Sequence, residues 1–297
     1  MRDFLKMRAQ IETGAGFIAA LDQSGGSTPK ALALYGVDAQ TYSTDEEMFA
    51  EIQKMRARII LSPDFTAEKV IGAILFERTL HEQVQGQSVP AYLWNTRGVV
   101  PFLKIDKGLE AQADGVQLLK PIPGLSETLL AAKSMGIFGT KERSVVNEAN
   151  AHGIAEIVKN QFDVAREVIA AGLVPIIEPE VNIHSATKQK AEALLADALL
   201  QHIEMLQEGQ DVMLKLTLPD QPGLYDALAD HARVLRVVAL SGGYSTDDAS
   251  ARLAQNHKMI ASFSRALTEG LQRDMTDAGF EAALGTNIDK IYDASVA

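Results

Sequence analysis

Apolar residues in this chain come in short runs, each followed by a polar turn and a longer amphipathic stretch. The runs are GFIAALD (16–22), GAILFE (72–77), VVPFLKID (99–106), MGIFGTKER (135–143), LVPIIEPE (173–180), DVMLKLTL (211–218), RVVALSGG (236–243) and MIASFSRA (259–266). Runs of this length suit buried strands. Between them, segments such as 150–171 and 185–207 repeat their apolar positions every three and four residues, which predicts helices. The alternation predicts an α/β protein with a parallel sheet. About eight such units in ~250–300 residues is the count of a single (β/α)8 TIM barrel. A doubly wound sheet also alternates, but no G-x-G-x-x-G follows the first run, and the GG of DQSGGSTPK is not that motif. With no linker or change of composition, the expectation is one domain over 1–297. Its N-terminal helix covers about 1–13 and a short C-terminal tail about 285–297.

The polar residues follow the barrel rule that chemistry sits at the C-terminal ends of strands. Asp22 closes the first run, Lys104 and Asp106 the third, Lys141 and Arg143 the fourth, and Glu178 and Glu180 the fifth. Ser241, Gly242 and Gly243 end the seventh, and Arg265 ends the eighth. The sixth run carries Lys215 amid Val212, Met213, Leu214, Leu216 and Leu218. A buried ammonium costs several kcal/mol unless paired or neutralised. Lys215 therefore either snorkels or pairs, or its burial makes it a neutral nucleophile. Singly, each strand-end group reads as a cap, an ion pair or a turn; the weight lies in their convergence on one end. Three lysines, two arginines and a Gly-Gly turn would hold phosphate. Asp22 and Glu178 would carry protons. A lysine among other cations would form an iminium ion with a carbonyl carbon. Together these point to carbonyl chemistry on a phosphorylated sugar.

Composition narrows the partners. Hydrophobic residues make up 46% and charged residues 23%, enough to bury a large core, and the net charge of −11 argues against nucleic acid or an anionic membrane surface. The absence of cysteine removes disulfides, thiolate metal sites and thiol nucleophiles. The six histidines, His81, His152, His184, His202, His231 and His257, show no ligand spacing and read as surface or packing residues. No metal or other cofactor is expected. No apolar stretch approaches a membrane span, and MRDFLKMRAQIETG has no signal-peptide core, so the expected location is cytoplasmic.

Several motifs, in order, carry a family resemblance: AALDQSGGSTPK, FLKIDKG, the K-x-R of TKER, VPIIEPE, MLKLTLP, LSGG and the S-x-x-R of SFSR. From about residue 14 to 270 the chain resembles the class I (Schiff-base) fructose-bisphosphate aldolases, in a compact bacterial form. That resemblance implies reversible, metal-independent cleavage of fructose 1,6-bisphosphate to dihydroxyacetone phosphate and glyceraldehyde 3-phosphate in glycolysis and gluconeogenesis. It implies that Lys215 forms the Schiff base and that Glu178 shuttles protons. It assigns Asp22 to take the C4 hydroxyl proton and Lys141 to favour the neutral amine of Lys215. It further implies that Lys104 and Arg143 lie near substrate hydroxyl or phosphate groups. Ser241, Gly242, Gly243, Ser262 and Arg265 would cradle the C1 phosphate, and Ser24 and Ser27 would approach the C6 end. The partner implied is a small sugar phosphate, and the family leaves room for a homo-oligomer.

The chain departs from the animal members of that family at several places. Lys30-Ala31 stands where they carry Lys-Arg, Glu142 replaces a tryptophan, and Ser262-Phe263-Ser264-Arg265 replaces S-x-G-R. The end reads IYDASVA, so Tyr292 is not a terminal tyrosine and reads as a packed or exposed side chain. Other readings of the same cluster are a different Schiff-base aldolase or transaldolase on a related sugar phosphate, a metal-dependent aldolase, or a non-catalytic aldolase-like binding protein.

Overall fold

A computed structural model describes residues 2–297. Eight parallel strands form a nearly closed barrel: β1 (Phe17–Leu21), β2 (Val70–Leu75), β3 (Val100–Lys104), β4 (Gly139–Val146), β5 (Val174–Val181), β6 (Val212–Thr217), β7 (Val234–Leu240) and β8 (Met259–Ala261). Each strand hydrogen-bonds to the next in chain order from β1 to β8. Every one of the eight apolar runs contains or overlaps one of these strands, and the chain has the (β/α)8 architecture expected. The runs are apolar on both faces because a barrel strand is buried twice, against the interior and against the outer helices.

The two faces fill two separate apolar layers. Outward residues such as Leu21, Ala73, Leu103, Ile177, Leu214, Leu216 and Val237 pack beneath the helices. Inward residues in the N-terminal half, including Ile18, Ile71, Phe102, Ile176, Met213, Val238 and Ile260, fill the barrel. The helix Arg2–Thr13 plugs the N-terminal mouth with Met7 and Ile11. Arg236 fastens it by donating to the carbonyls of Ile11 at 2.9 Å and Gly14 at 3.1 Å. Gln10 adds donations to Ile71 and Gly98.

The predicted helix at 150–171 is Ala151–Ala170, started by the Asn150 side chain accepting from the Gly153 amide. The one at 185–207 is Lys188–Ile203. The C-terminal expectation needs correction. Residues 285–296 are no tail but the second half of a helix, Asp277–Val296, which buries Phe280, Leu284, Ile288 and Ile291. Their three- and four-residue spacing is the helical period, so the core holds this segment down. Among the described residues, no helix is long and apolar enough to cross a membrane.

Candidate active site

The pairing register brings the charged groups to one face near the C-terminal ends of the strands. Lys104 of β3 pairs with Lys141 of β4, Arg143 with Glu178 of β5, and Lys215 of β6 with Val238 of β7. Residues paired across parallel strands share a face, so Lys104, Lys141, Glu178 and Lys215 all point inward, above the apolar filling. Lys215 lies two residues beyond Met213 on that same face and is 4% exposed, so it does not snorkel to solvent.

The charges form one chain. Lys215 Nζ lies 3.0 Å from Glu178 Oε1, and Lys141 Nζ lies 3.0 Å from Glu178 Oε2. Lys141 also reaches Asp22 Oδ2 at 2.7 Å and Asp106 Oδ2 at 3.9 Å. Lys104 Nζ pairs with Asp106 Oδ1 at 3.1 Å and donates to Ser24 Oγ at 2.6 Å. Arg143 pairs with Glu180, and its amide donates to Asp106 Oδ2 at 3.3 Å. The reading of Lys215 as an amine surrounded by cations is therefore corrected. Three lysines here alternate with three carboxylates, and Lys215 is ion-paired with Glu178.

Burial disfavours charge on Asp22, Glu178 and Lys141, but their partners win. For Asp22 the penalty of burial is outweighed by Lys141 and Lys215, which hold its carboxyl well below the usual range. Glu178 shows the same balance and is also lowered. Lys141 is pushed upward: burial opposes its charge, and Asp22, Glu178 and Asp106 more than offset that. Asp22 and Glu178 are thus carboxylates at neutral pH and Lys141 is an ammonium.

Two cavities open onto this chain, sharing Asp22, Lys141, Arg143, Ser264 and Arg265 in their walls. The larger, about 660 Å³, runs outward past Ser24, Ser27 and Lys30 to Leu34. The smaller, about 240 Å³, is lined by Glu178, Lys215, Ser241, Gly242 and Ser262. Ser262 is 2% exposed and its buried hydroxyl has no protein partner. The turn after β7 needs its glycines. Gly242 has φ +59° and Gly243 φ +130°, and a Cβ on Gly242 would come 2.9 Å from Ile183 Cγ2. Gly243 stands beside the Arg265 guanidinium. Each candidate site residue inferred from the strand ends thus falls in or beside these cavities. Tyr292 lines neither; it packs, half-buried, on the outer core.

The description "Fructose-bisphosphate aldolase class-I" belongs to the family whose model matches residues 5–222. A fructose-bisphosphate aldolase class 1 of Synechocystis sp. (strain ATCC 27184 / PCC 6803 / Kazusa) is 56% identical over 287 residues, 97% of this chain and 96% of that protein. The chain belongs to the class I fructose-bisphosphate aldolase family. Among solved structures, a fructose-bisphosphate aldolase from Plasmodium falciparum superposes with a TM-score of 0.77 at 20% identity, over 99% of this chain and 94% of that one. A Corynebacterium glutamicum protein gives 0.54 at 12% identity, over 99% and 92%. At those identities the two share the fold.

Beyond the motifs, this family member surrounds its site with groups that strand-end reasoning missed. Arg56, on the helix Asp45–Leu61, is 1% exposed and reaches the loop after β1. Its signal was present: it shares the apolar face of Ile52, Ile59 and Ile60, the same misplaced charge as Lys215. Gln23 and Ser264 had no such signal, being short polar residues at turns. Glu142 points away from the cavity into the interface with the helix Ala151–Ala170. There it is fully buried, and among the described residues its carboxyl accepts only from Thr140 Oγ1 at 3.3 Å. Burial, reinforced by Asp106, pushes its carboxyl well above the usual carboxylate range, which favours the neutral acid. The histidines stay outside the site; His202 stacks on Phe162 with ring centroids 4.9 Å apart.

Proposed function

We propose that this chain performs reversible aldol cleavage of fructose 1,6-bisphosphate, the glycolytic and gluconeogenic reaction, through a Schiff base on Lys215. The observation that carries the reading is the buried run Lys215–Glu178–Lys141–Asp22 opening onto cavities with cations at both ends. Lys215 first gives up its proton, and Glu178 Oε1 at 3.0 Å is the acceptor in reach. The free amine attacks C2 of the ketone. Glu178 then returns the proton to the carbinolamine oxygen, which leaves as water, and the amine nitrogen and C2 form an iminium ion.

Asp22 accepts the C4 hydroxyl proton. As the C4 carbonyl forms, the C3–C4 bond breaks and its electron pair moves through C2 to the iminium nitrogen, giving an enamine. Glyceraldehyde 3-phosphate departs, C3 of the enamine takes a proton, and water releases dihydroxyacetone phosphate from Lys215. Lys141, held charged by its three carboxylate neighbours, keeps Asp22 and Glu178 ionised and ready to accept protons.

Phosphate recognition is divided between the ends. Arg265, Ser241, Ser262 and the Gly242-Gly243 turn serve the C1 phosphate beside Lys215. Ser24, Ser27 and Lys104 serve the hydroxyls and the C6 end, with Lys30 supplying a cation at the outer wall of the larger cavity. Cleavage of fructose 1,6-bisphosphate and of fructose 1-phosphate, followed by coupled triose-phosphate assays, tests the reading. Cleavage of both is expected, with kcat/KM about tenfold or more in favour of the bisphosphate. No cleavage of either, or an equal preference, contradicts it.

A further inference from the structure

The ring of parallel ladders has one gap. Register pairs join every neighbouring strand from β1 to β8, but among the described residues none joins β8 back to β1. Two site groups stand on either side of that gap and line the same cavities. Asp22 is the first residue after β1, and Arg265 follows β8 by four residues. The Arg265 side has little backbone to hold it, since β8 has three residues and the helix Ser264–Thr268 has five.

One side chain crosses the gap. Gln23 Nε2 donates to Ser264 Oγ at 2.9 Å and to the Ala20 carbonyl at 3.3 Å. Gln23 is held from behind by Arg56, which donates Nη2 to the Gln23 carbonyl and Nη1 to Thr79 Oγ1 at 3.2 Å. The buried guanidinium has no carboxylate partner within ion-pair distance among the described residues, so the loop carbonyl is its main anchor. A continuous path of hydrogen bonds therefore runs from the helix Asp45–Leu61 through Gln23 to Ser264. Asp22 and Arg265 are the covalent neighbours of its last two members. Both Gln23 and Ser264 line the larger cavity.

We propose that the Gln23–Ser264 bridge positions the Arg265 turn against β1 and so sets the affinity of the site for a substrate phosphate group. It rests on the reading of Arg265 as a phosphate-binding residue. A neutral bridge suits the task, since it fixes two flanking charges without adding a third that would compete with an anionic ligand. Gln23 and Ser264 are positioning residues here: neither needs to touch a reacting atom.

The test compares Ser264→Ala, Gln23→Leu, the double variant, Ser264→Thr and Arg265→Ala by KM for fructose 1,6-bisphosphate, Ki for inorganic phosphate, kcat and Tm. Loss of the bridge is expected to raise KM and Ki together by about tenfold, the worth of one hydrogen bond. Effects on kcat within about threefold and on Tm within about 3 °C are expected alongside. The double variant should be no worse than either single one, because the two residues share one interaction. Ser264→Thr, which keeps the hydroxyl, should retain the low KM. If Arg265→Ala raises KM and Ki while the bridge variants leave them unchanged, or if the two single effects simply add, the bridge proposal falls alone. If Arg265→Ala itself changes neither constant, the phosphate assignment falls and the bridge proposal with it.

Discussion

The two halves of the barrel interior are built from the same strands and could hardly be more different. Below the middle, Ile71, Phe102, Ile176, Met213 and Val238 form an apolar filling beneath the N-terminal helix. Above it, two residues further along three of the same strands, stand Lys104, Glu178 and Lys215, joined by Lys141 of β4. The lower half gains from burial, at about 25 cal/mol per Å² of apolar surface. In the upper half burial works against charge, and Asp22, Lys141 and Glu178 stay charged because opposite groups lie about 3 Å away. Stability and chemistry are therefore separable along each strand, and substitutions in the two halves should fail in different ways.

The largest separation is expected from Lys215→Met. Turnover should fall by on the order of ten-thousandfold, as when a covalent nucleophile is removed. Glu178 keeps its Lys141 contact, so Tm should stay within a few degrees of the parent or rise. A steady-state assay beside a thermal melt reads both. The opposite pattern belongs to Phe102→Ala in the lower half. Leaving a cavity there should cost about 3–5 kcal/mol in denaturant unfolding while kcat/KM of the folded protein changes little. If Phe102→Ala lost activity out of proportion to its folded fraction, the division between halves would not hold.

Lys141→Met should blur the division, since it strips the shared cation from Asp22 and Glu178 together. Breaking a buried pair costs about 3–5 kcal/mol, and here activity should fall as well. The pH dependence should shift in a defined direction. In the parent, Asp22 and Glu178 titrate below their unfolded values, so their contribution is present above about pH 4 and is lost as pH falls through the lower folded values. Lys141→Met should move acid unfolding to higher pH, measured by circular dichroism across pH 2–6. An unchanged acid midpoint would show that the pairs do not carry that stability.

The smallest effect sharpens the contrast on the outer face. The Glu142 carboxyl is raised in the fold above its unfolded value, so above about pH 4 the unfolded state binds fewer protons and stability falls as pH rises. Glu142→Gln removes that dependence. Its Tm should exceed the parent's by a few degrees near pH 8 and approach it near pH 4, in melts across that range. A constant offset at all pH values would mean Glu142 is not held neutral.

How much of this was legible without coordinates follows from what each feature looks like in one dimension. The eight strands were visible because doubly buried strands read as continuous apolar runs, and the three- and four-residue apolar spacing announced the helices at 150–171 and 185–207. Lys215, Glu178 and Asp22 were legible because a charge in or after such a run is conspicuous. The C-terminal helix had its signal in Leu284, Ile288 and Ile291, obscured by the charged and small residues between them. The alternation of sign around the barrel was hidden, because it depends on how each strand is set against its neighbour: Lys104 pairs with Lys141, but Glu178 pairs with Arg143, two residues further along. The outward aim of Glu142 was hidden for the same reason, and so was Gln23 meeting Ser264 across 241 residues of chain.

The most direct test of the central claim is the mass of the protein trapped with borohydride in the presence of dihydroxyacetone phosphate. Trapping should add one reduced dihydroxyacetone phosphate per chain, mapped by peptide sequencing to Lys215, with no adduct in Lys215→Met. An adduct on Lys141 or Lys104, or none on a chain that still cleaves fructose 1,6-bisphosphate, would contradict it.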